Sequence, residues 1–286
     1  MKTHAFTKKR IMVISICLAA AILVGTFFDY QISCALYHGE KVFGKIFAAY
    51  GQLPVAIGNV VIGYLLIYVT QRKLKVTTIL AYIAAVYSYF MAIVLAAMDP
   101  MLYLEFSKGL AFGLAIVEVI AFSYLTHRLV QGCNKDDIKK YIGFLAFIIY
   151  GQLIIINVLK HVAARPRMRM IAVTPEAAFQ PWYVLGSTMR DTLTATLGIA
   201  TEEFKSFPSG HSGCAAVILA FSLVPYIRQK GSSDKWFFVG LTFALLVMFS
   251  RIMMGAHFLT DVTFGFTITF FLIVLGIKLF YGGKYE

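Results

Sequence analysis

The sequence is poor in charged side chains. Only 14% of its 286 residues are Asp, Glu, Lys or Arg, whereas soluble domains carry roughly 25%. Hydrophobic residues make up 59% of the chain, above the roughly 45–50% of a soluble domain. Because so few polar groups cannot cover a globule of this size in water, the composition excludes a soluble globular protein. It predicts an integral membrane protein.

Cysteine and acidic residues are also scarce. The four cysteines, Cys17, Cys34, Cys133 and Cys214, show no Cys-x-x-Cys spacing and no Cys/His cluster. We therefore expect small buried thiols and no metal site or other cofactor. The 14 acidic residues against 26 basic ones leave a net charge of +12. No basic stretch is joined to a nucleic-acid-binding motif, so we attribute the excess to loops facing anionic membrane lipids and expect no nucleic-acid partner.

Long apolar runs are what the sequence has in abundance. Each is near the ~20 residues that a membrane-spanning helix needs. They lie at about 11–32, 48–70, 77–98, 109–129, 141–159, 210–227, 236–252 and 258–281. The first follows a basic N-terminus and lacks a small-x-small cleavage site, which favours an uncleaved helix. The predicted fold class is all-α, a polytopic membrane helical bundle of about eight transmembrane helices with both termini on one side.

The distribution of basic residues predicts the orientation. With the N-terminus inside, 16 of the 26 basic residues lie on inside segments, in agreement with the positive-inside rule. These are Lys2, Lys8, Lys9, Arg10, Arg72, Lys73, Lys75, Arg128, Lys135, Lys139, Lys140, Arg228, Lys230, Lys235, Lys278 and Lys284. Five of the ten basic residues on the predicted outside lie around one long outer loop, residues 161–208, where the positive-inside rule does not expect them. We expect these to serve a purpose other than topology: Lys160, Arg165, Arg167, Arg169 and Arg251.

Three polar clusters interrupt the apolar pattern, and all lie on the predicted outer side. The first, Lys160–Arg169, reads KHVAARPRMR; the second, Phe207–Gly213, reads FPSGHSG; the third, Ser250–Asp261, reads SRIMMGAHFLTD. Each has an ordinary interpretation when it is taken alone. Basic side chains at a helix end snorkel to the interface, Pro-Ser-Gly begins a helix, and a His and an Asp four residues apart form a structural hydrogen bond.

Taken together, the clusters indicate a site for a phosphoryl group. They combine four or more cations, a helix N-terminus and two histidines, one of them paired with an acid. Cations and backbone N–H groups neutralise phosphoryl oxygens. An Asp that accepts from one ring nitrogen of a histidine fixes its tautomer and leaves the other nitrogen free to attack or to accept a proton.

The clusters also resemble the signature of the type 2 phosphatidic acid phosphatases, the PAP2 superfamily. That pattern is Lys, six residues, Arg-Pro; then Pro-Ser-Gly-His; then Ser-Arg, five residues, His, three residues, Asp. The second and third parts match as Pro208-Ser209-Gly210-His211 and as Ser250-Arg251, His257 and Asp261. The first part departs at one position, because Lys160 and Arg167 keep the spacing but Met168 replaces the proline. An Arg165-Pro166 pair lies nearby in another register.

The resemblance implies a function for each motif residue. His257 would attack phosphorus and become a phosphohistidine, with Asp261 orienting its ring. His211 would donate a proton to the leaving group and then activate water. Lys160, Arg167, Ser209, Gly210 and Arg251 would hold the phosphoryl oxygens, and Arg165 is either a rival or a helper of Arg167. The resemblance divides the chain into N-terminal helices at 1–140 and a PAP2-like catalytic core at 141–286, and it implies no metal.

The implied activity is metal-independent hydrolysis of a lipid phosphate or diphosphate at the outer membrane face. Candidate substrates are phosphatidic acid, phosphatidylglycerol phosphate and a polyprenyl diphosphate such as undecaprenyl diphosphate. The alternatives are a phosphatase of a soluble phosphate ester and a non-enzymatic binder or transporter of phosphorylated lipid. Short loops and the lack of targeting sequences suit a bacterial inner membrane. A homodimer is left open.

Two features stay outside the motifs. The family core has six spanning helices, three of them before the first motif, whereas this chain has five there. The additional pair preserves the side on which the motifs lie. Glu118, in the fourth apolar run, is unusual in hydrocarbon. We expect it to be packed or protonated rather than catalytic.

Overall fold

The computed structural model describes residues 4–39, 41–70 and 75–282, and every regular element in these ranges is helical. Eight helical spans are long and apolar enough to cross a membrane. The prediction of an all-α polytopic bundle is therefore confirmed. Four basic residues that entered the orientation argument, Lys2, Arg72, Lys73 and Lys284, lie outside the described residues.

Twelve α-helices form the described part of the chain. They are α1 (Lys8–Leu36), α2 (Val42–Ala49), α3 (Leu53–Val69), α4 (Val76–Tyr103), α5 (Lys108–Val130), α6 (Lys135–Ala163), α7 (Met168–Ile171), α8 (Thr188–Leu197), α9 (Gly210–Ala216), α10 (Val224–Ile227), α11 (Ser233–Met253) and α12 (Leu259–Tyr281). Short 3-10 segments lie at His4–Phe6, Thr201–Phe204 and Val217–Leu223. The sixth span is thus built from α9, a 3-10 segment and α10.

The core of the bundle surrounds α12, which packs against α1, α6 and α9. Its buried side is rich in aromatic and branched residues, including Phe266, Phe270 and Ile273. Gly265 lets α9 come close, because a Cβ there would lie 2.2 Å from the carbonyl oxygen of Ser209. This close approach brings the start of α9 against the start of α12, so the second and third polar clusters are neighbours.

The second span is broken near its N-terminal end. The sequence predicts one run from about 48, whereas the structure begins at Val42 and interrupts the span between α2 and α3 at Tyr50–Gln52. A Pro follows at the start of α3, where its missing N–H costs nothing. The break turns Gly51 and Gln52 toward the bundle interior.

The helices α4 and α5 pack on α3 at one side of the bundle. The residues of α5 that are buried are small, Ala111, Ala115 and Thr126, while most of its large apolar side chains are exposed. Such a surface suits contact with lipid. The C-terminal end of α4, by contrast, faces the bundle interior and carries the buried residue Asp99.

The loop at 161–208 is folded. It contains α7, α8 and a 3-10 turn, and it has a small core of its own made by Met170, Leu193 and Phe204. Trp182 donates from Nε1 to Thr26 Oγ1 at 3.0 Å and packs 4.7 Å from the ring of Phe264. The loop is therefore anchored to α1 and α12 above the three polar clusters.

The cysteines depart from the expectation of small buried thiols. Cys214 is buried, Cys133 is half-buried, and Cys17 and Cys34 are exposed on α1. The two exposed thiols lie on the outward, apolar face of the first helix, where lipid rather than protein surrounds them. All four are free thiols in the part of the chain that the structure describes.

Candidate active site

The three polar clusters meet at one cavity of about 650 Å³. Six of the nine predicted site residues line it: Lys160, Arg167, Gly210, His211, Arg251 and His257. The three that do not, Arg165, Ser209 and Asp261, are fully buried behind the cavity wall. The sequence prediction thus separates into groups that face the cavity and groups that support them.

His257 lies in the short connection between α11 and α12 and is buried. Its Nδ1 lies 2.6 Å from the carbonyl oxygen of Ser206. Because a carbonyl oxygen can only accept, Nδ1 carries the proton, and Nε2 of the neutral ring keeps its lone pair. Burial, followed by the positive charges of Lys160, Arg251 and Arg167, holds the pKa of His257 well below its usual value. This shift favours the neutral ring, with the lone pair of Nε2 available.

Asp261 supports His257 by a different contact from the one expected. Its nearest oxygen is 4.0 Å from Nδ1 of His257, so the direct hydrogen bond is not made. Instead, its carboxylate accepts from the hydroxyl of Ser206 at 2.5 Å and from the N–H of Phe258 at 2.8 Å. Asp261 is the third residue of α12 and turns back to cap that helix. Ser206 therefore stands between the carboxylate and the histidine.

The two arginines of the first cluster have different surroundings. Arg165 is completely buried and donates to Asp261 at 2.5 Å, to Asp29 at 2.9 Å and to the carbonyl of Gln180 at 2.7 Å. Its guanidinium also stacks 4.3 Å from the ring centroid of Phe258. Every direction of the planar fork is thus occupied by protein. Arg165 balances two buried carboxylates and does not face the cavity.

Arg167 lines the cavity and is nearly buried. It donates from Nη2 to Glu202 at 2.8 Å, while its buried Nε has no partner among the described residues. Burial opposes ionisation of Glu202, but hydrogen bonding by Lys205 and the charge of Arg167 lower its pKa below the usual value. The helix α6 is capped by Ala164, whose backbone is left-handed with φ 48°. The chain changes direction there, so the two arginines do not continue the helix.

Arg251 is the other cation with unused donors. Its Nη2 donates to the hydroxyl of Tyr103 at 3.0 Å, and its guanidinium lies 5.1 Å from that ring. Both Nε and Nη1 are buried without a partner in the described ranges. Buried N–H groups of a charged side chain are costly when they are left unpaired. Together with Nε of Arg167, they are ready to bind an anion in the cavity.

The start of α9 adds neutral groups to the same wall. Ser209 caps the helix, its hydroxyl accepting from the N–H of Ser212 at 3.3 Å, and Gly210 faces the cavity. Lys160 reaches across from α6, and its Nζ donates to the carbonyl of Lys205 at 2.8 Å. The lysine side chain lies beside the helix N-terminus, since a Cβ on Gly210 would be 3.7 Å from Cε of Lys160, an arrangement suited to an anion.

His211 has a carboxylate partner that the sequence motifs do not include. Its Nε2 lies 3.1 Å from Oδ2 of Asp99, which also accepts from Nε2 of Gln52 at 2.8 Å. The break in the second span makes room for the ring, since a Cβ on Gly51 would lie 3.0 Å from Cδ2 of His211. Both histidines of the site are therefore fixed through one ring nitrogen.

The comparisons with known proteins agree with this geometry. A family model described as the PAP2 superfamily matches residues 141–283. The chain belongs to the PAP2 superfamily. Phosphatidylglycerophosphatase B of Bacillus subtilis (strain 168) is 36% identical over 80 residues, which cover 27% of this chain and 36% of that protein. The aligned part therefore spans about a third of the curated relative. No solved structure matches the chain.

Several residues of this PAP2 site lie before the matched region and were missed by motif reasoning. They are Asp29 on α1, Gln52 at the broken span, and Asp99 and Tyr103 on α4. A signal for two of them exists, because Asp29 lies within the first apolar run and Asp99 directly after the third, and acidic residues at such positions are rare without a function. We applied that reasoning only to Glu118, which is half-buried on α5.

The cavity wall also bears on metal binding in the described ranges of the chain. No group of three or more His, Cys, Asp or Glu side chains there is placed to hold a metal ion. In the cavity wall the cations outnumber the carboxylates, which suits an anionic ligand: Lys45, Lys160, Arg167, Arg169 and Arg251 against Asp99, Glu105 and Glu202.

Proposed function

We propose that this PAP2 protein is a phosphatase that hydrolyses a lipid phosphate or diphosphate through a phosphohistidine on His257. The observation that carries the proposal is the pair of buried arginines at the cavity. Arg167 and Arg251 together hold three buried N–H-bearing nitrogens without partners among the described residues. A phosphoryl group presents three acceptor oxygens to match such donors.

The reaction follows from the state of the two histidines. Nε2 of His257 attacks phosphorus, and the bond to the leaving oxygen breaks while His211 gives that oxygen a proton. Water then attacks the phosphohistidine and gives a proton to His211, and the N–P bond breaks to release phosphate and the neutral imidazole. Arg167, Arg251, Lys160 and the N-terminus of α9 stabilise the charge that accumulates on the phosphoryl oxygens.

A lipid substrate is supported by the position and lining of the cavity. It lies at the ends of the spanning helices and has an apolar side that includes Leu102, Leu153 and Ile156. A headgroup can enter at this depth while its acyl chains remain among the helices. The relative's printed name, phosphatidylglycerophosphatase B, favours a phosphatidylglycerol phosphate within the wider class that includes phosphatidic acid and polyprenyl diphosphates.

The proposal includes an outer location for the site. The positive-inside distribution supports this orientation, and the same distribution places both termini inside. The expected compartment is the inner membrane of a bacterium.

A phosphate-release panel in detergent tests the proposal. It compares phosphatidic acid, phosphatidylglycerol phosphate, a polyprenyl diphosphate and a sugar phosphate, each with and without EDTA. We expect release from the lipid substrates and no loss with EDTA. Release from the sugar phosphate alone would favour the soluble-ester alternative. Tight binding of lipid phosphates without any release would favour the binder or transporter.

The intermediate is tested separately by rapid quenching with radiolabelled phosphatidic acid. We expect a protein-bound label that survives alkali and is lost in acid, as phosphoramidate bonds behave, and that is absent from the His257→Ala variant. Hydrolysis at full rate without such a label, under conditions that trap it in a known histidine phosphatase, would contradict the mechanism.

A further inference from the structure

Asp99 is a buried carboxylate at the C-terminal end of α4, outside the three motif clusters and outside the region that matches the family. It is 6% exposed. Its described side-chain hydrogen bonds join it to Gln52 and to His211. Burying a carboxylate at this depth is costly, so a role that depends on its charge is a reasonable expectation.

The surroundings of His211 explain what that charge can do. Arg251 and Lys160 act on the ring with positive charge from α11 and α6, and His257 lies beyond them. From the N-terminal helices come Asp99, the edge-on ring of Tyr103 and the backbone at Gly51. Asp99 is the negative charge in hydrogen-bond contact with the ring. A carboxylate beside one ring nitrogen favours the imidazolium, which is the form that a general acid needs.

The carboxylate is itself held in place. Gln52 has a side-chain N–H that donates to the same oxygen, Oδ2, that contacts His211. Gln52 is the residue directly before α3, in the break of the second span, so the direction of the Asp99 carboxylate on α4 is fixed from a second element of the chain. With Nε2 of His211 engaged in this way, Nδ1 is the ring nitrogen left to serve the leaving oxygen.

We propose that Asp99, oriented by Gln52, is the positioning residue that directs the His211 ring and favours its imidazolium form for transfer of a proton to the leaving group. The inference rests on the proposed phosphatase function. It makes the site a product of both parts of the chain: the family-matching region supplies both histidines, and the preceding helices supply the charge that makes one of them an acid.

The test uses two substrates that differ in their need for an acid. The leaving group of an alkyl phosphate such as dioctanoyl phosphatidic acid is a basic alkoxide, which needs a proton from an acid. The leaving group of p-nitrophenyl phosphate is a stable phenolate, which departs readily without one. The measured quantity is kcat/KM, which covers only the steps up to release of the alcohol. For Asp99→Asn, we expect a loss of about 10²-fold on the lipid and a much smaller loss on the aryl phosphate.

A pH profile gives a second measure. Removing the negative charge makes the imidazolium of His211 lose its proton more easily, so the alkaline limb of kcat/KM for the lipid should move to lower pH in Asp99→Asn. Asp99→Glu retains the charge and should recover part of the lipid activity. A structural effect of the substitution would instead lower kcat/KM equally for both substrates and leave the pH of the alkaline limb unchanged.

Controls separate this inference from folding and from the proposed function. Glu118→Gln also removes a carboxyl from a spanning helix of the N-terminal part and should leave both kcat/KM values unchanged. If Asp99→Asn is not recovered folded, Gln52→Ala should give the same substrate-dependent pattern with a smaller loss. Equal losses on both substrates, or none, in the folded variant would overturn the inference. A wild-type protein that releases phosphate from neither substrate would overturn the proposed function instead.

Discussion

The region at 141–283 and the helices that precede it contribute to the site in different ways. The matched region supplies the cations Arg167 and Arg251 and the proposed nucleophile His257, all of which line the cavity. The earlier helices supply negative partners, Asp29 on α1 and Asp99 on α4. Motifs therefore describe the groups that would touch phosphate, whereas their electrostatic support is spread over the rest of the bundle.

The largest expected effect comes from the nucleophile in the matched region. His257→Ala should abolish phosphate release from every substrate, because no other described group is placed to take the phosphoryl group from the same position. Phosphate release is measured in detergent with protein of unchanged size-exclusion profile. Near-normal turnover of His257→Ala would contradict the comparison of the two regions, since the matched region would then not supply the nucleophile.

The next effect concerns the arginine that faces the cavity. Arg167→Ala should lower kcat/KM by about 10²–10³-fold, because it removes a donor from the developing charge on phosphate. Thermal stability should change little, since one of its partners, Glu202, is largely exposed. Arg167→Lys, which keeps the charge but loses the fork, should recover only part of the activity. A variant with full activity and a lower Tm would show that Arg167 is structural.

Arg165 should show the reverse pattern. Arg165→Ala leaves Asp29 and Asp261 buried without their common cation, a change that costs about 3–5 kcal/mol in stability. The expected result is a marked fall in Tm in detergent, with any lost activity following the loss of folded protein. Asp29→Asn should cause a smaller fall, because Arg165 keeps its contact with Asp261. If Arg165→Ala stayed folded but lost more activity than Arg167→Ala, Arg165 would be the phosphate ligand.

The smallest effect is a shift in pH dependence. Since the pKa of His257 lies well below the usual value of roughly 6.5, its neutral form persists as pH falls, and the acid limb of kcat/KM due to this ring should lie below pH 6.5. Lys160→Gln removes one of the positive charges that lower that pKa, so the limb should move to higher pH. An acid limb unchanged by Lys160→Gln would mean that the charge of Lys160 does not contribute to the lowered pKa of His257.

The sequence predicted the fold class and gathered the motif residues because both depend on local patterns. Apolar runs of fixed length predict spans, and spacing within Ser250–Asp261 predicts which groups share a helix end. The division at 1–140 and 141–286 stays a prediction, as do the site functions themselves. The match to the family region begins near that boundary, yet α1 and α3 pack on helices beyond it.

The remaining contacts could not be predicted because no local rule relates their partners. Asp29 and Arg165 are 136 positions apart, and Asp99 and His211 are 112 apart. Ser206 was missed for another reason. Its carbonyl oxygen accepts a hydrogen bond from Nδ1 of His257, and its hydroxyl donates to Asp261. A backbone group therefore replaces the side-chain contact that the spacing of four predicts. Helix capping by Asp261 decided that competition.

The ion pair between Asp29 and Arg165 also bears on how the protein is made. Synthesis proceeds from the N-terminus, so α1 enters the membrane with its carboxyl group well before Arg165 leaves the ribosome. An acidic residue at the centre of a spanning helix disfavours insertion by about 2.5–3.5 kcal/mol, and Asp29, nearer the C-terminal end of α1, should cost less than this. The first helix is apolar enough to be inserted despite this cost. Arg165 later provides the partner of Asp29. The ion pair therefore forms only after synthesis has reached the loop at 161–208, and it joins that loop to the first helix.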